Sequence, residues 1–231
     1  GTNSEIENYD YFDASGGNAS GGNATDGTGG AGGQIIISTG AGATNSYIVI
    51  DGDLAAVGGD SVTGAGGSAN ADAINISTQG EDASVDIYND LYTEGGDTTG
   101  ASASNAGNAG GITIGTTGDS AYIASSGDFY GDGGSTSGTS TAGDGGTGAQ
   151  VTMTTEGLDA FIEINGEISA DGGNSFLGLA GSAFQAGDAI TITTLGDAAY
   201  IDFYDDVHAD GGFTTGASSS NAGNAGDITI S

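Results

Sequence analysis

Carboxylates that recur at a regular spacing are the residues of this chain whose type and position could do chemistry. One set is 37 to 39 residues apart and consists of Asp53, Asp90, Asp128, Glu167 and Asp206. A second set is 38 or 39 residues apart and consists of Glu94, Asp132, Asp171 and Asp210. Carboxylate oxygens, with backbone carbonyls and water, are the ligands that Ca²⁺ takes in proteins. The spacing therefore predicts Ca²⁺ sites wherever the fold brings members of one set together.

The charge composition narrows the classes of partner. The 231 residues include 31 Asp and Glu, one His, and no Lys or Arg, so the formal net charge is −31. Nucleic acids and anionic membranes are recognised through Lys and Arg, so this composition argues against both. No apolar run in the sequence approaches the ~20 residues that a membrane-spanning helix needs, so we expect no membrane insertion. The partners that the charge favours are metal cations and basic surfaces.

The elements that must position the carboxylates follow from an internal repeat of about 39 residues. Gly-Gly pairs begin at residues 16, 58, 95, 133, 172 and 211, and the pattern Ile/Val-x-Ile/Met begins at residues 35, 74, 112, 151, 190 and 228. Self-similarity at a period of roughly 20–50 residues is typical of units stacked along one axis. We therefore expect a rod-like structural or binding protein, and not an enzyme.

Two segments of each repeat alternate apolar and polar residues with a period of two. In the fifth repeat these are 190–194 and 200–207, and the second places Ile201, Phe203 and Val207 on one face. Such alternation between Gly and Asp corners predicts strands. Stacked coil on coil, the inward faces would form one continuous core. The predicted fold is all-β, a parallel β-helix (β-solenoid) of about six coils of ~39 residues, forming one domain over 1–231 that is incomplete at both ends.

The segments between each Gly pair and the next Ile-x-Ile are rich in Gly, Ser, Asn and Ala, as in 214–226. They contain few large apolar side chains to bury. We therefore expect Gly-rich loops or arms, forming a third and looser side of each coil or protruding from it.

The pattern Ile-x-Ile-x-Gly-x-Ile-x-Ala-x-Gly-Gly at 162–173, followed by a Gly-rich stretch and Ile-Thr-Ile, carries a family resemblance. It resembles the degenerate repeats of large secreted bacterial β-helix proteins, such as the filamentous-haemagglutinin class of adhesins. The resemblance covers nearly the whole chain and implies a role in cell-surface adhesion or in an extracellular matrix. It implies no site residues.

In stacked coils, equivalent carboxylates would lie about 4.8 Å apart along the axis. Each neighbouring pair would then repel by roughly 1 kcal/mol in bulk water, and by roughly 3–4 kcal/mol at an effective dielectric constant near 20. Because the chain has no Lys or Arg, Ca²⁺ is the natural neutralising ligand. The other interpretation is a solvated acidic face that keeps the rod soluble, and the sequence leaves both open.

Two further features carry weaker hypotheses. His208 lies in an outward strand position beside Asp206 and Asp210, and we interpret it as incidental more readily than as a metal ligand. The segments 152–154 and 191–193 have the Thr-x-Thr form of an ice-binding face, although the other repeats break the pattern.

Outward aromatic residues are candidates for intermolecular contacts. We expect Tyr9, Tyr11, Tyr88 and Tyr204 to be displayed on the surface. Their interpretation as protein contacts is favoured, with sugar stacking as the alternative, so a surface polysaccharide is a further candidate partner.

The ends of the sequence predict self-assembly. The first predicted strand contains Ile6 and Phe12, and the last contains Ile228 and Ile230, with no cap sequence at either end. Stacking copies head to tail would bury both sets of strand edges and generate an open, fibre-forming interface. The register nearly continues, since Ile228 to the next copy's Ile6 is 9 positions, against 11 from Ile190 to Ile201. The predicted assembly interface therefore consists of Ile6, Phe12, Ile228 and Ile230.

Because the chain begins at Gly1 and its only Met is Met153, we expect a processed chain or a piece of a longer one. Acidity, polar composition and repeats favour an extracellular location, either secreted or at the cell surface. The predicted function is a structural subunit of a filament of stacked β-solenoids, stabilised by Ca²⁺. One alternative is a stalk segment of a giant bacterial adhesin, and another is a Ca²⁺-binding or ice-binding module that acts alone.

Overall fold

The computed structural model describes residues 3–20, 27–40, 44–100, 104–137, 143–184, 187–216 and 221–231. Over these residues all regular secondary structure is β-strand, arranged as a β-solenoid of about five turns of ~39 residues, close to the predicted six coils. Each coil contributes three strands, one to each of three parallel sheets. The predicted fold class is therefore confirmed. None of the described residues belongs to a helix with the length and apolarity needed to cross a membrane.

The strands are numbered β1 to β18 in chain order. Sheet 1 consists of β1 (Asn3–Asn8), β4 (Asn45–Ile50), β7 (Ser84–Ile87), β10 (Tyr122–Ser125), β13 (Phe161–Ile164) and β16 (Tyr200–Phe203). Sheet 2 consists of β2 (Phe12–Asp13), β5 (Leu54–Ala55), β8 (Leu91–Tyr92), β11 (Phe129–Tyr130), β14 (Ile168–Ser169) and β17 (Val207–His208). Sheet 3 consists of β3 (Ile35–Ser38), β6 (Ile74–Gln79), β9 (Ile112–Thr117), β12 (Val151–Glu156), β15 (Ile190–Leu195) and β18 (Ile228–Ile230).

The register places equivalent residues of successive coils directly above one another. Ile48 pairs with Val85, which pairs with Ile123, and the series continues through Ile162 to Ile201, as the matching of the internal repeats predicts. The inward members of these series are buried in the interior coils, where residues such as Ile48 and Ile114 are fully inaccessible to solvent. Full burial of such a side chain stabilises the fold by about 1.5–3 kcal/mol, so the stacked columns form the continuous core that no single coil could form.

A tight corner leads from sheet 3 to sheet 1 in four successive coils. Its first residue is a glycine with φ between 142° and 154°, and its third residue is left-handed, as at Ser120 with φ of 58°. Only glycine adopts the first of these conformations at low cost. A Cβ at Gly118 would also overlap the carbonyl oxygen of Gly80 in the preceding coil. The corner therefore depends on glycine both for its backbone angle and for close stacking.

The Gly-rich segments form an arm that runs outward and back in each coil. Of the two predicted alternatives, a looser third side and a protruding arm, the described residues form the arm, and hydrogen bonds join its two limbs. An unbroken series of N–H···O=C bonds of 2.7–2.9 Å alternates between the outgoing and the returning limbs. We call its members the glycine column: Gly17, Gly30, Gly59, Gly67, Gly96, Gly107, Gly134, Gly146, Gly173, Gly181, Gly212 and Gly223.

Backbone contact takes the place of apolar burial in this arm. A Cβ at Gly67 would overlap the carbonyl oxygen of Gly30, and one at Gly107 would overlap that of Gly67. Hydroxyl side chains fill the bend, where Thr98 Oγ1 donates to the carbonyl of Asn105 at 3.1 Å and Thr136 Oγ1 donates to that of Gly143 at 3.1 Å. The sequence signal of few large side chains is therefore compatible with dense packing.

Candidate metal-binding groove

The first predicted set of carboxylates forms a column on the outer surface, just before the strands of sheet 2. The backbone N–H of Asp128 donates to Asp90 Oδ1 at 2.9 Å, and the N–H of Glu167 donates to Asp128 Oδ1 at 2.8 Å. Asp53 accepts from the N–H of Asp90 at 3.3 Å in the same way. The structure thus brings the first set together, with Asp206 at the corresponding position of the last coil.

In the middle of this first column, both carboxylate oxygens of Asp90 and both of Asp128 already accept hydrogen bonds. Tyr92 Oη donates to Asp90 Oδ2 at 2.7 Å, and Tyr130 Oη donates to Asp128 Oδ2 at 2.9 Å. The two tyrosine rings are stacked, with centroids 5.4 Å apart. These hydrogen bonds stabilise the carboxylates without a cation and raise the pKa of Tyr130 to about 12, with the Asp128 contact as the largest cause. The middle of the first column is therefore the weaker candidate for metal binding.

The second predicted set also forms a column, beside the Gly pairs. The N–H of Asp171 donates to Asp132 Oδ1 at 2.9 Å, and the N–H of Asp210 donates to Asp171 Oδ1 at 2.6 Å. Ser169 Oγ donates to the same oxygen of Asp132 at 2.5 Å. Two donors therefore occupy Oδ1 of Asp132, which leaves its Oδ2 for a cation, whereas Oδ1 of Asp171 accepts one backbone N–H and keeps a second lone pair.

A third column, which the sequence reasoning missed, faces the second across the Gly pairs. It is the residue after each pair: Asn18, Asp60, Asp97, Ser135, Asn174 and Phe213. Each of its polar side chains accepts the backbone N–H of the next coil, as Asp60 Oδ1 does from Asp97 at 2.9 Å. The signal was present in the sequence, because a polar residue follows five of the six Gly pairs.

The second and third columns are the walls of a groove along the rod, which we call the acidic groove. Two cavities along it have volumes of about 610 Å³ and 320 Å³. Its wall residues are Glu94, Asp132, Asp171 and Asp210 on one side and Asp60, Asp97, Ser135 and Asn174 on the other, with the Gly pairs between them.

Uncompensated negative charge accumulates in this groove. Partial burial raises the pKa of Glu94, and repulsion by Asp132, Asp97 and Asp60 adds to the effect. Partial burial likewise raises the pKa values of Asp97 and Asp132, against hydrogen bonds that lower them. A carboxyl whose pKa is raised by its surroundings is one whose ionised form lacks a favourable partner. The donor set of carboxylate oxygens fits Ca²⁺, which takes 6–8 oxygen ligands including water.

His208 lies beside Asp210, as expected, and its two ring nitrogens also contact carboxylates of another coil. Its Nε2 lies 2.5 Å from Glu167 Oε1 and its Nδ1 lies 3.1 Å from Asp171 Oδ1, both in the preceding coil. Partial burial alone would lower the pKa of His208, but the hydrogen bonds to the two carboxylates outweigh it, so the pKa is raised. The imidazole therefore links two coils.

The aromatic residues fall into two groups. Tyr122, Phe161 and Tyr200 form a stack with centroid separations of 4.9 and 5.1 Å, so their ring faces cover one another. The four outward tyrosines of the sequence analysis are between 54% and 66% exposed: Tyr9, Tyr11, Tyr88 and Tyr204. Their exposure leaves both protein contacts and sugar stacking open as roles for this second group.

The outer face of sheet 3 is more regular in threonine than the sequence pairs indicate. Thr113, Thr152, Thr191 and Thr229 occupy one outward position in four successive coils. The same position holds Ile36 and Asn75 in the first two coils. The threonine surface therefore covers only part of the rod.

The predicted assembly residues lie on the two ends of the described solenoid. Ile6 is partly buried against the core, and Phe12 is 45% exposed, on the face formed by β1 to β3. Ile228 and Ile230 are 41% and 49% exposed on the face formed by β16 to β18, although Ile190 of the preceding coil is fully buried. We call these surfaces the N-terminal and C-terminal end faces.

Fold and repeat together define the chain as a β-solenoid repeat protein. A comparison with protein-family models, curated proteins and solved structures found no match to the chain.

Proposed function

We propose that this protein is a structural subunit outside the cell that stacks head to tail with copies of itself into a filament, which Ca²⁺ bound in the acidic groove stabilises. It acts as a scaffold and has no catalytic role. The observation that carries the proposal is the state of the two end faces, where side chains that face the core elsewhere are exposed.

The exposed side chains on the end faces are apolar and in register with the core. Ile228 and Ile230 continue the columns of Ile190 and Ile192, which are buried because a further coil covers them. Covering apolar surface contributes about 25 cal/mol per Å², and a second copy would also pair the strand edges that β16 to β18 present. Because every coil has the same three strands in the same order, a second copy can continue all three sheets.

Such an interface joins two different surfaces of the same molecule. A head-to-tail contact of this kind leaves a free end after every addition, so it generates an open assembly and not a closed ring when the units stack along one axis. The formal net charge of −31 opposes this assembly, because each copy repels the next. A divalent cation in the acidic groove would lower that repulsion along the whole rod.

The extracellular location rests on composition. An acidic, polar, Gly-rich repeat chain suits a solvated surface layer or matrix, and the resemblance to secreted β-helix adhesins favours the same location. Surface polysaccharide is a further candidate partner, through the four exposed tyrosines of the second aromatic group.

Electron microscopy of the purified chain with Ca²⁺, and again after addition of EDTA, tests the proposal. We expect filaments with an axial repeat of about 4.8 Å that fray when EDTA removes the cation. Filaments that are unchanged by EDTA would support head-to-tail assembly and contradict its stabilisation by Ca²⁺, and the acidic groove would then be a solvated surface. Only isolated short rods at high protein concentration would overturn the polymer and favour the adhesin stalk, in which further coils of one longer chain cover the same faces.

A matched pair of variants separates end-to-end stacking from general solubility. Ile230→Asp introduces a charge on the C-terminal end face, and we expect it to abolish filaments. Leu158→Asp introduces a charge at an apolar side chain that is 50% exposed at the corner between β12 and β13, away from both end faces, and we expect filaments to persist. Equal behaviour of the two variants would contradict stacking through the end faces.

A further inference from the structure

We infer that Asp171, His208 and Asp210 form a binding site for a divalent transition metal of the Zn²⁺ type. One ligand atom from each residue lies within 4.8 Å of the others. The site stands at the end of the acidic groove, where the second column meets β17, and it is the one place among the described residues where an imidazole nitrogen joins the carboxylates. The site does not require the filament, and it shares Asp171 and Asp210 with the acidic groove.

Glu167 determines which imidazole nitrogen faces the two aspartates. Its Oε1 lies 2.5 Å from Nε2 of His208 and accepts the proton of that nitrogen, so Nδ1 is the atom that faces Asp171. Metal-binding histidines in proteins almost always donate their other N–H to a carboxylate or a carbonyl, because this bond sets the tautomer and the ring orientation. The chain supplies this supporting carboxylate from the preceding coil.

The separation of Nδ1 and Asp171 Oδ1 suits a shared cation. The two atoms are 3.1 Å apart, and Zn²⁺ sits about 2.0–2.2 Å from nitrogen and oxygen ligands. One ion that displaces the Nδ1 proton can therefore contact both atoms, at an angle of about 90–100°. Asp210 is exposed, so its side chain can rotate to supply the third ligand, and water can take a fourth position.

The nitrogen donor decides the class of metal. Imidazole is a common ligand for Zn²⁺, Cu²⁺ and Ni²⁺, whereas Ca²⁺ selects oxygen ligands. The remaining groove walls offer oxygen alone. The structure therefore assigns the transition-metal site to the last two coils. A bound ion would connect Asp171, which follows β14, with His208 in β17 and with Asp210, which follows β17.

The test uses the fact that His208 is the only histidine, so one imidazole spin system reports on the site in an NMR titration. We expect stoichiometric Zn²⁺ to shift the imidazole signals, whereas Ca²⁺ at the same concentration leaves them in place. Isothermal titration calorimetry should give one tight Zn²⁺ site, and His208→Gln, whose amide can still reach Glu167, should weaken it at least tenfold. Asp210→Asn should also weaken it, while Glu94→Gln, the matched change three coils away, should not.

Equal Zn²⁺ affinity in the wild-type chain and in His208→Gln would overturn the inference, because the carboxylates alone would then hold the ion. Unchanged imidazole signals at millimolar Zn²⁺ would overturn it as well. Filament microscopy of His208→Gln with Ca²⁺ keeps the two proposals distinguishable. Loss of the Zn²⁺ site with intact filaments leaves the proposed function standing, and absence of filaments with an intact Zn²⁺ site leaves this inference standing.

Discussion

At the scale of single residues, the chain stabilises its carboxylates mainly with backbone amides. Most neighbours within the outer columns share one bond, in which a side-chain oxygen of one coil accepts the N–H of the next, as Asp128 Oδ1 does from Glu167. A hydrogen bond to a charged group contributes about 1.5–3 kcal/mol, comparable with the repulsion between stacked carboxylates. This bond partly replaces the missing Lys and Arg.

Separating the acceptor from the charge tests this role. Asp128→Asn keeps an oxygen acceptor for the N–H of Glu167 and removes the negative charge, so we expect the free energy of unfolding to stay level or rise by up to about 1 kcal/mol. Asp128→Ala removes the acceptor as well, and we expect a loss of about 1–3 kcal/mol. Urea unfolding of both variants in EDTA makes the comparison, and equal losses would show that the acceptor does not matter.

The acidic groove makes a prediction about pH. Because the pKa values of Glu94, Asp97 and Asp132 are raised in the fold, the folded chain binds their protons more tightly than the unfolded chain. Stability must then rise as pH falls through the range where these carboxyls take up protons, and fall again as pH returns to neutral.

The measurement is the free energy of unfolding in EDTA, from pH 7 down into this acid range. The triple variant Glu94→Gln, Asp97→Asn and Asp132→Asn should show a flatter dependence than the wild-type chain. A wild-type chain that loses stability steadily over the same range would contradict the prediction.

At the scale of elements, the glycine column is the feature that distinguishes the arm from an ordinary loop. Gly96 and Gly17 are both the second residue of a Gly pair, and both belong to the column. A Cβ at Gly96 would overlap the carbonyl oxygen of Gly59, whereas a Cβ at Gly17 meets nothing within 4 Å. The two residues therefore form a matched pair.

We expect Gly96→Ala to destabilise the fold by about 3 kcal/mol or more, because two backbone limbs must separate to admit the methyl group. Gly17→Ala should change stability by about 1 kcal/mol or less. Thermal unfolding followed by circular dichroism measures both. Similar losses in the two variants would mean that the column is not closely packed.

The corner between β15 and β16 allows a stabilising substitution. Ala198 has φ of 60°, a left-handed conformation that costs an L-residue about 1–2 kcal/mol. Ala198→Gly should therefore stabilise the chain by up to about 1 kcal/mol, measured by urea unfolding. The control is Ala124→Gly in β10, where glycine has no such advantage and should destabilise.

The strands could be predicted from sequence because period-two alternation is a local signal, repeated in every coil. Ile48, Val85 and Ile123 needed only that alternation and the repeat spacing to be aligned correctly. The packing of the arm could not be predicted in this way, since its stability comes from backbone contacts between Gly30, Gly59 and their neighbours in other coils. A Gly-rich sequence without a hydrophobic pattern is the same whether it forms a loop or a packed layer, so the pattern does not distinguish the two.

The candidate site was predictable in part for the same reason. Spacing alone identified Asp132 and Asp171 as neighbours, which the structure brings together. To predict that Asp97 lies in the facing wall, one must know the angle that the Gly pair imposes on the chain. To predict the partners of His208, one must know the offset between neighbouring coils. Both depend on side-chain direction, which repeat counting does not supply.

At the scale of the whole molecule, net charge opposes folding, and it would also oppose the proposed stacking of copies. At low ionic strength the repulsion reaches across many coils, and it is screened beyond about 8 Å at physiological salt. We expect the unfolding temperature in EDTA to rise as NaCl increases from 10 to about 150 mM, where the Debye length falls from ~30 Å to ~8 Å. A scanning calorimetry series measures this, and insensitivity to salt would mean that backbone donors already neutralise the columns.

The alternation of outgoing and returning limbs in the glycine column has a mechanical consequence. Hydrogen bonds between coils run parallel to the rod axis in the three sheets, and in the arm each coil is bonded to the coil before it through the same column. Tension along the axis is therefore shared by four bonded surfaces where the structure describes the junction between two coils. Because the load is divided among three sheets and the arm, we expect a rod built in this way to resist stretching evenly along its length.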